Sequence, residues 1–184
     1  MTHRTQKQEH TRSYYAATAN EITDYPELLG RESVDVCIVG AGFTGVATAL
    51  TLAERGYSVA LLEANRVGWG ASGRNGGQII NGVSGLEKLQ KKHGSDVADM
   101  LWNMKWRGND IIRERVQKYG IECDLKNGFL EVAPKPSQTA WFDDFAEERR
   151  RRGFAFDYEV WDREKTRSML GTDAFHGAFL CNRD

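Results

Sequence analysis

Residues 35–64, DVCIVGAGFTGVATALTLAERGYSVALLEA, leave this chain little freedom in how it begins its fold. Val34, Val36, Ile38 and Val39 form a short β-branched burst closed by Gly40, which predicts a buried strand. From Phe43 to Arg55, Val46, Ala47, Ala49, Leu50 and Ala53 recur at helical spacing, and Gly56 stands where a helix C-cap needs a glycine. YSVALLEA then reads as a second buried strand. A strand, a helix and a strand in this order imply two parallel strands joined by a crossover, because antiparallel strands would need only a tight turn.

The turn between the first strand and the helix is Gly40-Ala41-Gly42-Phe43-Thr44-Gly45, a G-x-G-x-x-G in the context that gives the motif its meaning. Gly40 permits the sharp turn off the strand. Gly42 clears space for a pyrophosphate against the backbone, and Gly45 lets helix and strand pack closely. Amides at the helix start, reinforced by about half a positive charge from the helix dipole, favour a diphosphate. Glu63 ends the second strand 23 residues after Gly40, where a carboxylate accepts hydrogen bonds from an adenosine ribose and disfavours a 2′-phosphate. On these residues the ligand is FAD or NAD(H) rather than NADPH.

A second glycine-rich run, GWGASGRNGGQIINGVSG at 68–85, follows immediately and predicts a long loop. Together with SYYAATAN at 13–20, GASGRNGGQ at 70–78 and IIRERVQKYGIECDLKNGFLEVA at 111–133, it resembles the D-amino-acid oxidase (DAO) superfamily of FAD-dependent oxidoreductases. The resemblance runs from Ser13 over nearly the whole chain and is most specific at 34–78. An NAD-dependent dehydrogenase has no use for such a loop.

The resemblance implies FAD as cofactor. It implies that Gly40, Ala41, Gly42, Phe43, Thr44 and Gly45 hold the diphosphate, that Glu63 holds the ribose, and that Ala64 and Arg66 line the adenosine side. Ser72, Gly73, Arg74, Asn75, Gly76 and Gly77 would line the diphosphate and isoalloxazine. The implied activity is oxidation of the C–N bond of a small-molecule amine, by hydride transfer to flavin N5 with oxygen as acceptor. The flavin carries that chemistry, so neither a catalytic side chain nor a metal is assigned. Chains of the superfamily are longer than 184 residues. The expectation is an N-terminal portion that binds FAD weakly without turnover, the alternatives being a non-catalytic nucleotide-binding remnant or a D-amino-acid or other amine oxidase of the same superfamily.

The expected fold class is α/β, or α+β overall: an N-terminal arm over 1–30, a Rossmann-like FAD-binding region over 31–120, and part of an antiparallel-sheet substrate domain over 121–184. Val97, Leu101, Met104, Gly108, Ile111, Ile112 and Val116 predict one or two amphipathic helices between Leu86 and Tyr119. FLEVA, FAFDYEVWD and HGAFLCNRD read as strands, with helices after Pro136 and at DREKTRSML.

With 25 Lys and Arg against 26 Asp and Glu, the net charge of −1 offers no electrostatic case for nucleic acid or a membrane surface. No apolar run approaches the roughly 20 residues of a membrane helix, and the polar N-terminus is no secretory signal. Cys37, Cys123 and Cys181 lie in no C-x-x-C spacing and suit reduced thiols, so the cytoplasm is the expected compartment. Oligomeric state is left open. Cys37 reads as a small core residue, Trp102, Trp106 and Met104 as a packing stripe, and Arg149 to Arg152 as a solvated helix end. The four histidines, 3, 10, 93 and 176, have no catalytic or metal-binding partner in sequence. Arg74 is assigned flavin proximity, whereas Gln78 and Asn81 face either substrate or their own turn.

Overall fold

The computed structural model describes residue 10 and residues 12–20, 23–80, 85–153 and 157–182. Asn81, and the Phe154-Ala155-Phe156 start of one expected strand, lie outside the described residues. The chain forms two compact units, Met1–Gln78 and Ile79–Asp184.

In the first unit the N-terminal arm contains one helical turn, α1 (Tyr14–Ala17). It forms because Ser13 is a good N-cap, its Oγ accepting the Ala16 N–H at 3.2 Å. β1 (Val36–Val39) and β2 (Val59–Leu62) are parallel, in register from Val36 opposite Val59 to Val39 opposite Leu62. Asp35 and Ser58 clasp the start of the pair: Asp35 Oδ2 accepts from the Ser58 N–H at 2.8 Å and hydroxyl at 2.7 Å, and the Asp35 N–H donates to Ser58 Oγ at 2.9 Å. These bonds stabilise the ionised acid and hold its pKa below the usual value.

The crossover is α2 (Phe43–Glu54), ended by Arg55 and by Gly56 at φ +88°. Neither strand is buried as deeply as its composition suggests. Side chains alternate across β1, so Cys37 and Val39 share a face, and that face is open: Cys37 is exposed and Val39 is 84% exposed. The expectation that Cys37 is a core residue is therefore corrected. A parallel pair needs cover on both sides, and among the described residues β1 and β2 form only a two-stranded sheet.

The second unit contains α3 (Leu86–His93) and α4 (Ser95–Tyr119), separated at Gly94, whose φ of +89° breaks the helix. Gly120, left-handed at φ +58°, caps α4. β3 (Phe129–Val132), β4 (Tyr158–Trp161) and β5 (Ala178–Cys181) make an antiparallel sheet in the order β3-β5-β4. Between them run α5 (Ala140–Arg151) and α6 (Arg163–Leu170); Asp162 caps α6 by accepting the Lys165 N–H at 2.8 Å.

The core of this unit joins Trp102 and Trp106 of α4, Phe142 and Ala146 of α5, and Phe179 and Cys181 of β5. Tyr158 stacks on Phe179 with ring centroids 5.3 Å apart and donates its hydroxyl to the Ala146 carbonyl. The buried face of α4 is Ala98, Trp102, Trp106 and Asn109, about one position round from the expected stripe. Trp102 and Trp106 are both 3% exposed, and burying two large indoles sets the rotation of the helix. Met104, two residues from each Trp, is turned away and 61% exposed, which removes it from the packing stripe.

The arginine run is also not a uniformly solvated helix end. Arg149 lies over Phe179, 4.9 Å from the ring centroid, and Arg152 lies over Trp102 at 4.5 Å while bonding Asp99 at 2.7 Å. Among the described residues no helix is long and apolar enough to cross a membrane.

Candidate cofactor site

The site is built on the turn from β1 into α2. Gly40, at φ +99°, is in a conformation that a side chain would strain, and its N–H donates to the Leu62 carbonyl at 2.7 Å, tying the turn to β2. Gly42 is the extended N-cap of α2, and a Cβ there would stand 2.9 Å from Ser72 Oγ. At Gly45 a Cβ would lie 1.8 Å from the Gly40 carbonyl oxygen, so the first turn of α2 and the glycine turn meet at a distance only glycine allows. Ala41 between them is 1% exposed, whereas Phe43 and Thr44 are exposed.

Glu63 reaches across from the end of β2. Its Oε2 accepts the Ala41 N–H at 2.8 Å and its Oε1 the Asn65 N–H at 3.0 Å. The Ala41 amide first, then Asn65, hold its pKa below the usual carboxylate value. Glu63 thus fixes the turn itself, and each oxygen keeps lone-pair capacity for a further donor.

Beyond Glu63 the chain folds back over the turn. The Gly68 N–H donates to the Ala41 carbonyl at 2.9 Å, and Ser72 Oγ accepts the N–H of Phe43, the first residue of α2, at 3.0 Å. A tight 3-10 turn over Ala71–Gly73 makes this possible; a Cβ on Gly73 would be 2.2 Å from the Gly68 carbonyl oxygen. Asn75 then shapes the exit, with Nδ2 donating to the Ser72 carbonyl at 2.8 Å and Oδ1 accepting the Gly77 N–H at 2.9 Å. Gly77 is left-handed at φ +68°.

Arg74 folds onto its own loop, its guanidinium 4.9 Å from the Trp69 ring centroid and its Nε donating to the Trp69 carbonyl at 3.3 Å. Arg66 is ion-paired with Asp24 at 3.9 Å, and Ala64 and Gly76 are exposed beside these groups. Gln78 is also exposed, close to Gly76.

Fifteen positions were singled out in the sequence, and the first unit contains them all: the glycine turn, Glu63 with Ala64 and Arg66, and the Ser72–Gly77 loop. Trp69 and Asp24 were missed. Trp69 had a signal, since a tryptophan five residues before an arginine in a tight glycine loop can carry it by stacking. Asp24 had none, because its partner lies 42 residues away.

The donor set fits a dinucleotide. Gly42 and Gly45 let the turn pack against Ser72 and against its own carbonyl, α2 begins there, and the Glu63 carboxylate is bonded to the same turn, the arrangement of a dinucleotide-binding β-α-β unit. Among the described residues no group of His, Cys, Asp and Glu could hold a metal ion.

A parallel β-α-β unit that turns on glycine and ends in an acid defines a dinucleotide-binding protein. The sequence model of the DAO family, described as FAD dependent oxidoreductase, matches residues 35–184, and the chain belongs to that family. The family's cofactor is FAD. The chain is 43% identical to gamma-glutamylputrescine oxidoreductase of Escherichia coli (strain K12), over 94% of this chain and 40% of that protein. It is 44% identical to the probable oxidoreductase OrdL of Haemophilus influenzae over the same shares. The chain therefore spans about two fifths of the length of the curated relatives it matches. Among solved structures, the L-amino acid deaminase from Proteus vulgaris shares the fold, with a TM-score of 0.67 and 23% identity over 89% of this chain and 36% of that one.

Proposed function

We propose that this chain is the cofactor-binding portion of an FAD-dependent oxidoreductase that oxidises the C–N bond of a small-molecule amine, with gamma-glutamylputrescine as the first substrate to test. The observation that carries the reading is the agreement between the glycine turn, in which Gly45 can bear no side chain, and 43% identity to a relative of that name. A bound FAD would supply the redox chemistry, taking up the hydride from the amine-bearing carbon, with oxygen as the proposed electron acceptor. The residues of this chain bind and orient. Gly40 sets the turn, the amides of α2 that follow Phe43 receive the diphosphate, Glu63 holds the turn and accepts from the ribose hydroxyls, and Ser72 joins the flavin-side loop to the helix start through the Phe43 N–H.

The open face of β1, with Cys37 exposed and Val39 84% exposed, favours a requirement for further polypeptide before substrate turns over. The test is anaerobic addition of gamma-glutamylputrescine to the FAD-loaded protein, alone and together with a polypeptide carrying the rest of the E. coli relative. Bleaching of the flavin band in the combined sample supports the reading. A flavin that other amines reduce but gamma-glutamylputrescine does not would remove that substrate, and a flavin that no amine reduces in either sample would remove the activity.

A further inference from the structure

The segment before β1 lies outside the family's shared domain, which begins at residue 35, yet it is not private to this chain. The match to the E. coli relative covers 173 residues, against 150 in the family match over 35–184, so at least 23 aligned residues precede residue 35.

In the structure the arm is seated on the cofactor loop. Asp24 Oδ1 stands 3.9 Å from Arg66 Nη1, and the Arg66 side chain, although in a surface loop, is only 20% exposed. A cavity of about 310 Å³ is walled by His10, Tyr15 and Tyr25 of the arm and by Arg66, Gly68 and Gly73 of the loop. Arg66 opens the same loop whose Gly68 amide bonds the Ala41 carbonyl and whose Ser72 bonds the Phe43 amide.

We infer that Asp24 is a positioning residue of the cofactor site. Through Arg66 it holds the Arg66–Gly73 loop in the arrangement that brings Ser72 to the start of α2, and the arm serves as a strap over that loop. The inference rests on the FAD reading for its consequence, but its mechanical content, the hold on the loop, stands by itself. A loop already ordered loses less conformational entropy when a ligand binds, so the strap tightens cofactor binding. Because Asp24 is 66% exposed, the hold weakens as salt screens the pair.

The experiment compares the full chain with Asp24→Asn and Asp24→Glu, reading hydrogen exchange at the Gly68 and Phe43 amides and FAD affinity by flavin fluorescence. Asp24→Asn is expected to speed exchange at both amides and to weaken FAD by about two- to fivefold, the range of an exposed ion pair. Asp24→Glu is expected to restore both, and high salt to make the unsubstituted chain behave like Asp24→Asn. A purely structural role of the arm would alter thermal stability but show neither the salt dependence nor the glutamate rescue. Unchanged exchange at both amides in Asp24→Asn overturns the inference, whatever happens to FAD affinity. Faster exchange in a chain that binds no FAD supports the positioning role and overturns the cofactor reading instead.

Discussion

Replacing Gly45 by alanine would place a methyl carbon 1.8 Å from the Gly40 carbonyl oxygen and 3.0 Å from its carbonyl carbon. A carbon and an oxygen rest at about 3.3 Å, so α2 and the glycine turn must separate by roughly 1.5 Å. Both groups are backbone, and neither can rotate away. The first unit therefore loses stability at the upper end of the overpacking range, about 3 kcal/mol. For a unit of this size that lowers the melting midpoint by more than about 10 °C. Gly42→Ala supplies the contrast. Its Cβ would meet Ser72 Oγ at 2.9 Å, and a serine hydroxyl can turn aside. This variant should melt within about 1 kcal/mol of the parent. Both variants should bind FAD at least about tenfold more weakly, Gly45→Ala because the turn is displaced and Gly42→Ala because a methyl stands where the diphosphate approaches. Circular dichroism melts and flavin fluorescence titration measure the two effects separately. A Gly45→Ala protein with parental melting and parental FAD affinity would refute the close approach on which the site is built.

Glu63 is ionised more readily than an ordinary glutamate because the Ala41 and Asn65 amides bond its anion. With a folded pKa below the unfolded one, its contribution is complete above the usual carboxylate range and is lost as pH falls through the folded value. The Ala41 amide resonance should follow that titration, and in Glu63→Gln the pH dependence should vanish with a stability loss below about 1 kcal/mol, because the group is largely in water. In the second unit Phe142 is 1% exposed against Phe179, so Phe142→Ala should cost about 3–5 kcal/mol in denaturant unfolding. Asp162→Ala removes the N-cap of α6 and should cost about 1 kcal/mol, with Asp162→Ser recovering most of it.

The β1-α2-β2 unit was legible because each of its signals is local: β-branched runs, helical spacing, and glycines where the turn demands them. FLEVA likewise marked β3 to within one residue, whereas the single 3-10 turn after Gly70 and the helix break at Gly94 are too short to leave a periodic signature. Long-range pairing left no trace. Nothing in HGAFLCNRD says that Ala178–Cys181 runs between β3 and β4, because strand order is decided by packing and not by neighbours in sequence. On α4 the Trp102–Trp106 stripe was legible and is buried, whereas Met104 and the parallel run through Val97, Leu101 and Gly108 lie about one position off the buried face, because spacing alone counts every apolar residue equally. Cys37 was misplaced for the opposite reason: a β-branched run signals a strand that can be covered, but the cover must come from elsewhere. Within the site, the glycines and Glu63 were readable from spacing, while the bond from Phe43 N–H to Ser72 Oγ joins positions 29 residues apart.

Hydrogen exchange of the 184-residue chain with and without saturating FAD tests the central claim most directly. Exchange at the amides of Gly40–Gly45 and Ser72–Gly77 is expected to slow with FAD and not with riboflavin, which lacks the diphosphate and adenosine. FAD that leaves both segments unchanged, or riboflavin that protects them equally, would contradict the assignment of this turn as the cofactor's seat.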